Sequence, residues 1–119
     1  MTKKILVVDD ERVIADTLAS ILCGSGFEAT AAYSGRDALA WIKNTGCPDI
    51  LLSDVMMPEL NGIELAKKVS DSCKATAVTL ISGNSNTSDL LREAESQGYR
   101  FKMLAKPIHP RSLLAYLNA

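Results

Sequence analysis

Two hydrophobic periodicities alternate along this chain from one end to the other. Lys4-Ile5-Leu6-Val7-Val8 is a short, β-branched apolar run with no polar interruption, the pattern of a strand covered on both faces. After Asp9-Asp10-Glu11 the period changes. Ile14, Leu18, Ile21 and Leu22 recur at i, i+4, i+7 and i+8, which predicts one face of a helix that Gly24 and Gly26 stop. Phe27 to Ala32 reads as a second, weaker strand. Ser34, with Asp37 three residues on, has the spacing of a capping box before Ala38, Leu39, Trp41 and Ile42, and Gly46 and Pro48 close that helix.

The plan then repeats. Ile50-Leu51-Leu52-Ser53 is an apolar strand followed by Asp54, and a loop with Pro58 and Gly62 leads to a helix carrying Ile63, Ala66 and Val69. Asn61 and Glu64 have N-cap and N3 spacing there. Ala77 to Ile81 predicts the fourth strand, with Ser82-Gly83-Asn84-Ser85-Asn86 as its polar exit. Leu90, Leu91 and Ala94 mark a helix ended by Gly98, and Phe101 to Ala105 a fifth strand. Pro110 opens a last helix with Leu113, Leu114 and Leu117.

Five strands alternating with five helices predict an α/β, doubly wound (βα)5 sandwich with a five-stranded parallel sheet, because crossovers between parallel strands are right-handed. Such sheets place their sites beyond the carboxyl ends of the strands, where the strand order reverses. Asp9, Asp10, Asp54, Ser82 and Lys106 each stand at or just past a strand end, so all five are expected at one edge. The order 2-1-3-4-5 sets strands 1 and 3, with the three aspartates, side by side.

Composition narrows the alternatives. The 119 residues suit one domain over 1–119, and a hydrophobic share of 47% excludes a chain too polar to collapse. A net charge of -1 argues against direct nucleic-acid binding by the domain. No apolar stretch approaches the ~20 residues that span a bilayer, and the N-terminus lacks the features of a signal peptide. The expected compartment is the cytoplasm. Cys23, Cys47 and Cys73 are odd in number and widely spaced, so neither a disulfide framework nor a zinc site is read from them, and they are expected to be reduced.

Gathered carboxylates need compensation. One like-charge pair at 4 Å costs about 4 kcal/mol at an effective dielectric of 20, and Lys106 supplies one positive charge. Oxygen-only ligands from carboxylates, a backbone carbonyl and water suit Mg²⁺ rather than zinc. Taken alone, Asp9-Asp10-Glu11 reads equally as acids at a helix N-terminus, Asp54 as a turn residue and Ser82 as a loop serine. Taken together, they describe a nucleophilic carboxylate at Asp54 able to accept a phosphoryl group, with the Lys106 ammonium, the Ser82 hydroxyl and a backbone N–H near Gly83 facing the transferred oxygens.

Val7-Val8-Asp9-Asp10-Glu11, Ser53-Asp54-Val55-Met56-Met57-Pro58, Asn61-Gly62-Ile63-Glu64-Leu65, Ile81-Ser82-Gly83 and Ala105-Lys106-Pro107 occur in this order over essentially the whole chain. The ordered set resembles the CheY-like receiver domain of bacterial two-component response regulators, a flavodoxin-like fold. The resemblance implies that Asp54 is the phosphoacceptor, loaded from a phosphohistidine on a sensor histidine kinase or phosphotransfer protein. It implies that Asp10, Asp54 and the Met56 carbonyl bind Mg²⁺ directly, with Asp9 acting through water, and that Lys106-Pro107 is cis. It implies a signalling protein rather than an enzyme, one that assists its own phosphotransfer and dephosphorylation. Its switching face would be the fourth helix, fifth strand and fifth helix, acting on a C-terminal effector domain or downstream protein, with room for a homodimer through the same face.

One position departs from the family pattern. Where an aromatic residue three positions before the lysine couples to the hydroxyl at Ser82, this chain has Met103, a more loosely fitting side chain. Met56, two positions after Asp54, neither orients nor supplies a hydrolytic water, so a phosphoryl group on Asp54 is expected to persist for minutes or longer. Met56 also opposes a haloacid-dehalogenase-type phosphohydrolase, which needs a proton-transferring residue there. Acids after the first strand oppose a flavin phosphate site. A receiver-like interaction module without phosphotransfer is the remaining alternative. The leucines of the last two helices are read as mostly core, His109 as a loop or cap residue, and Trp41 as packing.

Overall fold

The computed structural model describes residues 2–83 and 87–118. Its elements, in chain order, are β1 (Lys4–Val8), α1 (Arg12–Gly24), β2 (Glu28–Ala32), α2 (Gly35–Thr45), β3 (Ile50–Asp54), α3 (Gly62–Ser72), β4 (Ala77–Ser82), α4 (Thr87–Ser96), β5 (Lys102–Ala105) and α5 (Pro110–Asn118). All strands pair in parallel in the order β2-β1-β3-β4-β5, as the alternating pattern predicts. Of the polar exit from β4, Asn84, Ser85 and Asn86 lie outside the described residues.

Side-chain alternation along the strands divides the core in two. Leu6, Val8, Leu51 and Leu80 face α2, α3 and α4, meeting Ala38, Ile63, Leu65, Ala66, Val69 and Ala94. Ile5, Val7, Leu52 and Ile81 face α1 and α5, meeting Ala19, Leu22, Leu113 and Leu117. β3 is buried throughout while the flanking β2 and β5 are partly exposed, which explains why the central strands carry uninterrupted apolar runs and the edge strands do not. Leu113 and Leu117 are core, as expected, whereas Leu90 lies at the surface, and Trp41 packs against the core from its margin.

The helix ends follow their sequence signals. The Ser34 hydroxyl accepts from the Asp37 N–H at 3.0 Å, and Asn61 with Glu64 forms a full capping box at the start of α3. His109 acts as a cap, its Nδ1 accepting from the Arg111 N–H at 3.2 Å.

The cysteines correct the sequence reading. Cys47 and Cys73 are joined in a disulfide, and only Cys23 is free. A separation of 26 residues hides the pair in the sequence, but the fold sets the C-cap of α3 against the turn entering β3, bringing the two Cα atoms to 5.7 Å, within bonding reach.

Candidate functional site

The sheet order does the assembly. β1 and β3 are neighbours with Val8 opposite Ser53, so the residues that follow, Asp9 and Asp54, emerge side by side. β4 lies beyond β3 with Ile81 opposite Asp54, and β5 beyond that with Ala105 opposite Ser82. Lys106 therefore leaves the sheet next to Ser82, whose carbonyl accepts the Lys106 N–H at 2.9 Å. The Lys106-Pro107 peptide is cis, as the resemblance implies.

Carboxylate oxygens of Asp9, Asp10 and Asp54 all lie within 4.8 Å of one another. Asp9 and Asp54 are buried, at 2% and 7% exposure, whereas Asp10 faces solvent. The Lys106 ammonium sits 3.4 Å from Asp54 Oδ1 and 3.5 Å from Asp9 Oδ2, pairing with both acids at once. Asp9 Oδ1 also accepts the Glu11 N–H at 3.0 Å, which fixes its rotamer.

Charge in this cluster is unbalanced, with three carboxylates around one ammonium. At 4.8 Å a like-charge pair still costs about 3–4 kcal/mol at an effective dielectric of 20. Burial pushes the Asp54 carboxyl above the ordinary aspartate range, the Asp9 and Asp10 carboxylates add to that push, and the charge and hydrogen bond of Lys106 oppose it. Burial alone would lower Lys106, but the Asp54 and Asp9 carboxylates together hold its ammonium above the usual lysine range. All the side-chain donors to a cation here are carboxylate oxygens, two of them shielded from water. That set fits a hard divalent ion such as Mg²⁺ and not a soft thiolate-seeking metal.

Ser82 ends β4, buried at 7% exposure. Met56 turns its side chain outward, 53% exposed, so no polar side chain projects from that position beside Asp54. Met103 lies opposite Leu80 in the β4–β5 register and packs against the same core as Leu80. Strand alternation puts Ser82, two residues past Leu80, on that same sheet face. The nearby aromatics are engaged elsewhere. Tyr99 stacks on Phe101 with ring centroids 5.6 Å apart, and its hydroxyl donates to Asp71 at the end of α3.

Sequence reasoning passed over one residue that shapes the site. Gly62 donates its N–H to the Val55 carbonyl at 2.8 Å, and a Cβ on it would stand 2.1 Å from the Asp54 carbonyl oxygen. Only glycine lets the first turn of α3 approach the backbone of Asp54 so closely. In the sequence, Gly after the capping Asn61 reads merely as a loop-to-helix junction.

Comparison with known proteins agrees with this geometry. The chain is 31% identical over 119 residues to the "DNA-binding response regulator MtrA" of Mycolicibacterium paratuberculosis, an alignment that takes in 100% of this chain and 51% of that protein. The homologue of that name in Mycobacterium tuberculosis matches at 31%, over 100% of this chain and 50% of its own length. The chain thus spans about half the length of these relatives. Among solved structures, a response regulator receiver domain protein from Clostridium thermocellum superposes with a TM-score of 0.85 at 27% identity, covering 98% of this chain and 91% of that one. A CheY-like receiver domain protein from Methanospirillum hungatei superposes at 0.87 with 26% identity, covering 99% and 92%. Residues 5–118 match the family described as the response regulator receiver domain. With the strand order, the acidic cluster and its lysine all in place, the chain belongs to the receiver-domain family of two-component response regulators.

Proposed function

We propose that Asp54 accepts a phosphoryl group, in a Mg²⁺-dependent reaction, from a phosphohistidine on a sensor histidine kinase or phosphotransfer protein. The observation that carries this reading is one buried carboxylate, Asp54, held 3.4 Å from the Lys106 ammonium within a cluster that retains excess negative charge. Asp10, Asp54 and the Met56 carbonyl would hold the ion directly, and Asp9 through water. When bound, it supplies positive charge for the oxygens of the transferred group.

This chain's own residues do the rest. The Asp54 oxygen attacks phosphorus, the bond to the donor nitrogen breaks, and the donor histidine leaves. The close approach of Gly62 and the pairing of Val55 N–H with the Ile81 carbonyl at 3.0 Å hold the Asp54 backbone still during that step. Lys106 offsets charge on the equatorial oxygens, while the Ser82 hydroxyl and a backbone N–H near Gly83 donate hydrogen bonds to them. The new charge at Asp54 then shifts a two-state equilibrium read on the α4–β5–α5 face, with Met103 filling the space beside Ser82. That face acts on a C-terminal effector domain or a downstream protein in the cytoplasm. Among the described residues no helix is long and apolar enough to cross a membrane.

Intact mass after incubation with acetyl phosphate tests the reading. The wild-type chain gains one phosphoryl group in Mg²⁺ and gains none in chelator, and Asp54→Asn gains none in either. No gain in the wild type would leave an interaction module without phosphotransfer, and equal labelling of Asp54→Asn would put the phosphoryl group on another residue.

A further inference from the structure

We propose that Cys47 and Cys73 form a reversible thiol–disulfide site that exchanges with small thiols and disulfides and, when oxidised, clamps α3 and the Asp54 segment into a closed covalent ring. The bond spans 26 residues, and the ring it closes contains all of β3, Asp54, the loop after it and all of α3. It lies at the end of the sheet opposite Asp54, so it leaves the carboxylate cluster unobstructed. Its two ends differ in access: Cys47 is exposed, whereas Cys73 is buried in the core at 3% exposure.

That asymmetry defines the chemistry. A small thiolate attacks the sulfur of Cys47, the exposed residue of the pair; the protein S–S bond breaks, and its electron pair leaves on the Cys73 sulfur, which takes a proton from water. A second small thiolate attacks the small-molecule sulfur of the mixed disulfide, releasing Cys47 as a thiol and a small disulfide as the oxidised product. In sum, one protein disulfide and two small thiols give two protein thiols and one small disulfide. Oxidation by a small disulfide such as oxidised glutathione runs the same steps in reverse.

The reduced chain has what it needs to stay folded. A Cys73 thiol would be a small apolar group among core side chains, and the backbone bond from the Cys73 N–H to the Val69 carbonyl, 2.6 Å in the bonded form, does not depend on the sulfur. The Thr76 hydroxyl donates to the Pro48 carbonyl at 2.6 Å and holds the neighbouring backbones together without the sulfur bridge. β3 and α3 already carry much of the buried apolar surface, including Leu51, Leu52, Leu65 and Val69. The covalent closure is therefore additional to the fold, and it acts on how freely α3 moves. α3 seats the Asp54 backbone through Gly62, so the clamp reaches the site along a helix. This consequence for signalling rests on Asp54 being the phosphoacceptor; the thiol chemistry does not.

The test equilibrates the folded chain with defined ratios of reduced to oxidised glutathione, quenches exchange with acid, alkylates in denaturant so that the buried Cys73 is reached, and counts modified thiols by mass. Melting and amide hydrogen exchange are measured on the same samples. Folded protein should pass from one modified thiol, Cys23, to three as glutathione becomes reducing. The oxidised form should melt higher by on the order of 10 °C, and its α3 amides should exchange more slowly by about tenfold or more. Cys47→Ala, which spares the core thiol, should lose the redox dependence of both readings. Three modified thiols at every ratio, a bond that opens only on unfolding, or equal α3 exchange in both forms would each overturn the proposal. None of these readouts involves phosphoryl transfer, so failure of the phosphoacceptor reading would show separately, as absent labelling of Asp54.

Discussion

Replacing Gly62 with alanine tests how α3 seats the Asp54 backbone. A Cβ at this position would stand 2.1 Å from the Asp54 carbonyl oxygen, 2.8 Å from its carbonyl carbon and 2.9 Å from Val55 Cα. Carbon atoms settle ~3.5–4.0 Å apart, and all three neighbours are backbone, so no rotamer change relieves the overlap. Either α3 retreats or the strand end moves. Overpacking of this kind costs about 1–3 kcal/mol or more. Retreat also stretches the 2.8 Å hydrogen bond from Gly62 to Val55, forfeiting up to about 1 kcal/mol. Against that, alanine inside a helix gains roughly 0.5–1 kcal/mol over glycine. The net expectation is a loss of roughly 2–3 kcal/mol, lowering Tm by roughly 8–15 °C. Urea unfolding checks it, with the midpoint falling and the slope unchanged. Gly24→Ala is the control: nothing lies within 4 Å of its added Cβ, and it should be neutral or slightly stabilising. If Gly62→Ala matches the wild type, the close approach to Asp54 is not what the structure says it is.

Other outcomes follow from the charge and exposure of the site. Because burial raises the Asp54 pKa, the folded state holds that proton more tightly than the unfolded chain does. Its contribution to stability is full below the ordinary aspartate pKa and is lost as pH rises through the raised folded value. In metal-free buffer, Asp54→Asn should therefore melt above the wild type near neutral pH, with the difference shrinking on acidification; a constant or reversed difference counts against the assignment. Lys106→Ala removes the ammonium paired with both buried acids, and the rate of labelling by acetyl phosphate should fall on the order of 10²-fold. An unchanged rate would remove Lys106 from the chemistry. The outward-facing Met56 predicts a phosphorylated form that decays over minutes or longer in Mg²⁺, followed by intact mass after the donor is removed. Decay within seconds would show that hydrolytic water is positioned by something other than that side chain.

Much of this architecture could be read from the chain because its physical signals are local. The unbroken runs of β1 and β3 announce strands buried on both faces, and the Asn61–Glu64 spacing announces the start of α3. From the strand order alone, Asp9, Asp54 and Lys106 could be placed at one edge, and the ion pairs show them there. Edge strands were less legible: Phe27 and Phe101 look like strand residues but lie just outside β2 and β5. What could not be read depends on contacts distant in sequence. Nothing near Cys47 points to Cys73, because their pairing exists only once α3 has folded back along β3. Gly62 likewise reveals its purpose only against the Asp54 carbonyl. Leu90 satisfies the helical period yet stands at the surface, since periodicity marks a face and not the depth to which it is covered.

The most direct measurement is chemical mapping of the labelled residue. After acetyl phosphate and Mg²⁺, borohydride reduces an acyl phosphate to an alcohol, and peptide mass spectrometry locates the change. The account predicts homoserine at position 54 alone, absent when the divalent ion is chelated. Reduction at another carboxylate, or equal conversion of Asp54 without the ion, would contradict the claim that a metal-compensated acidic cluster prepares this aspartate for phosphoryl transfer.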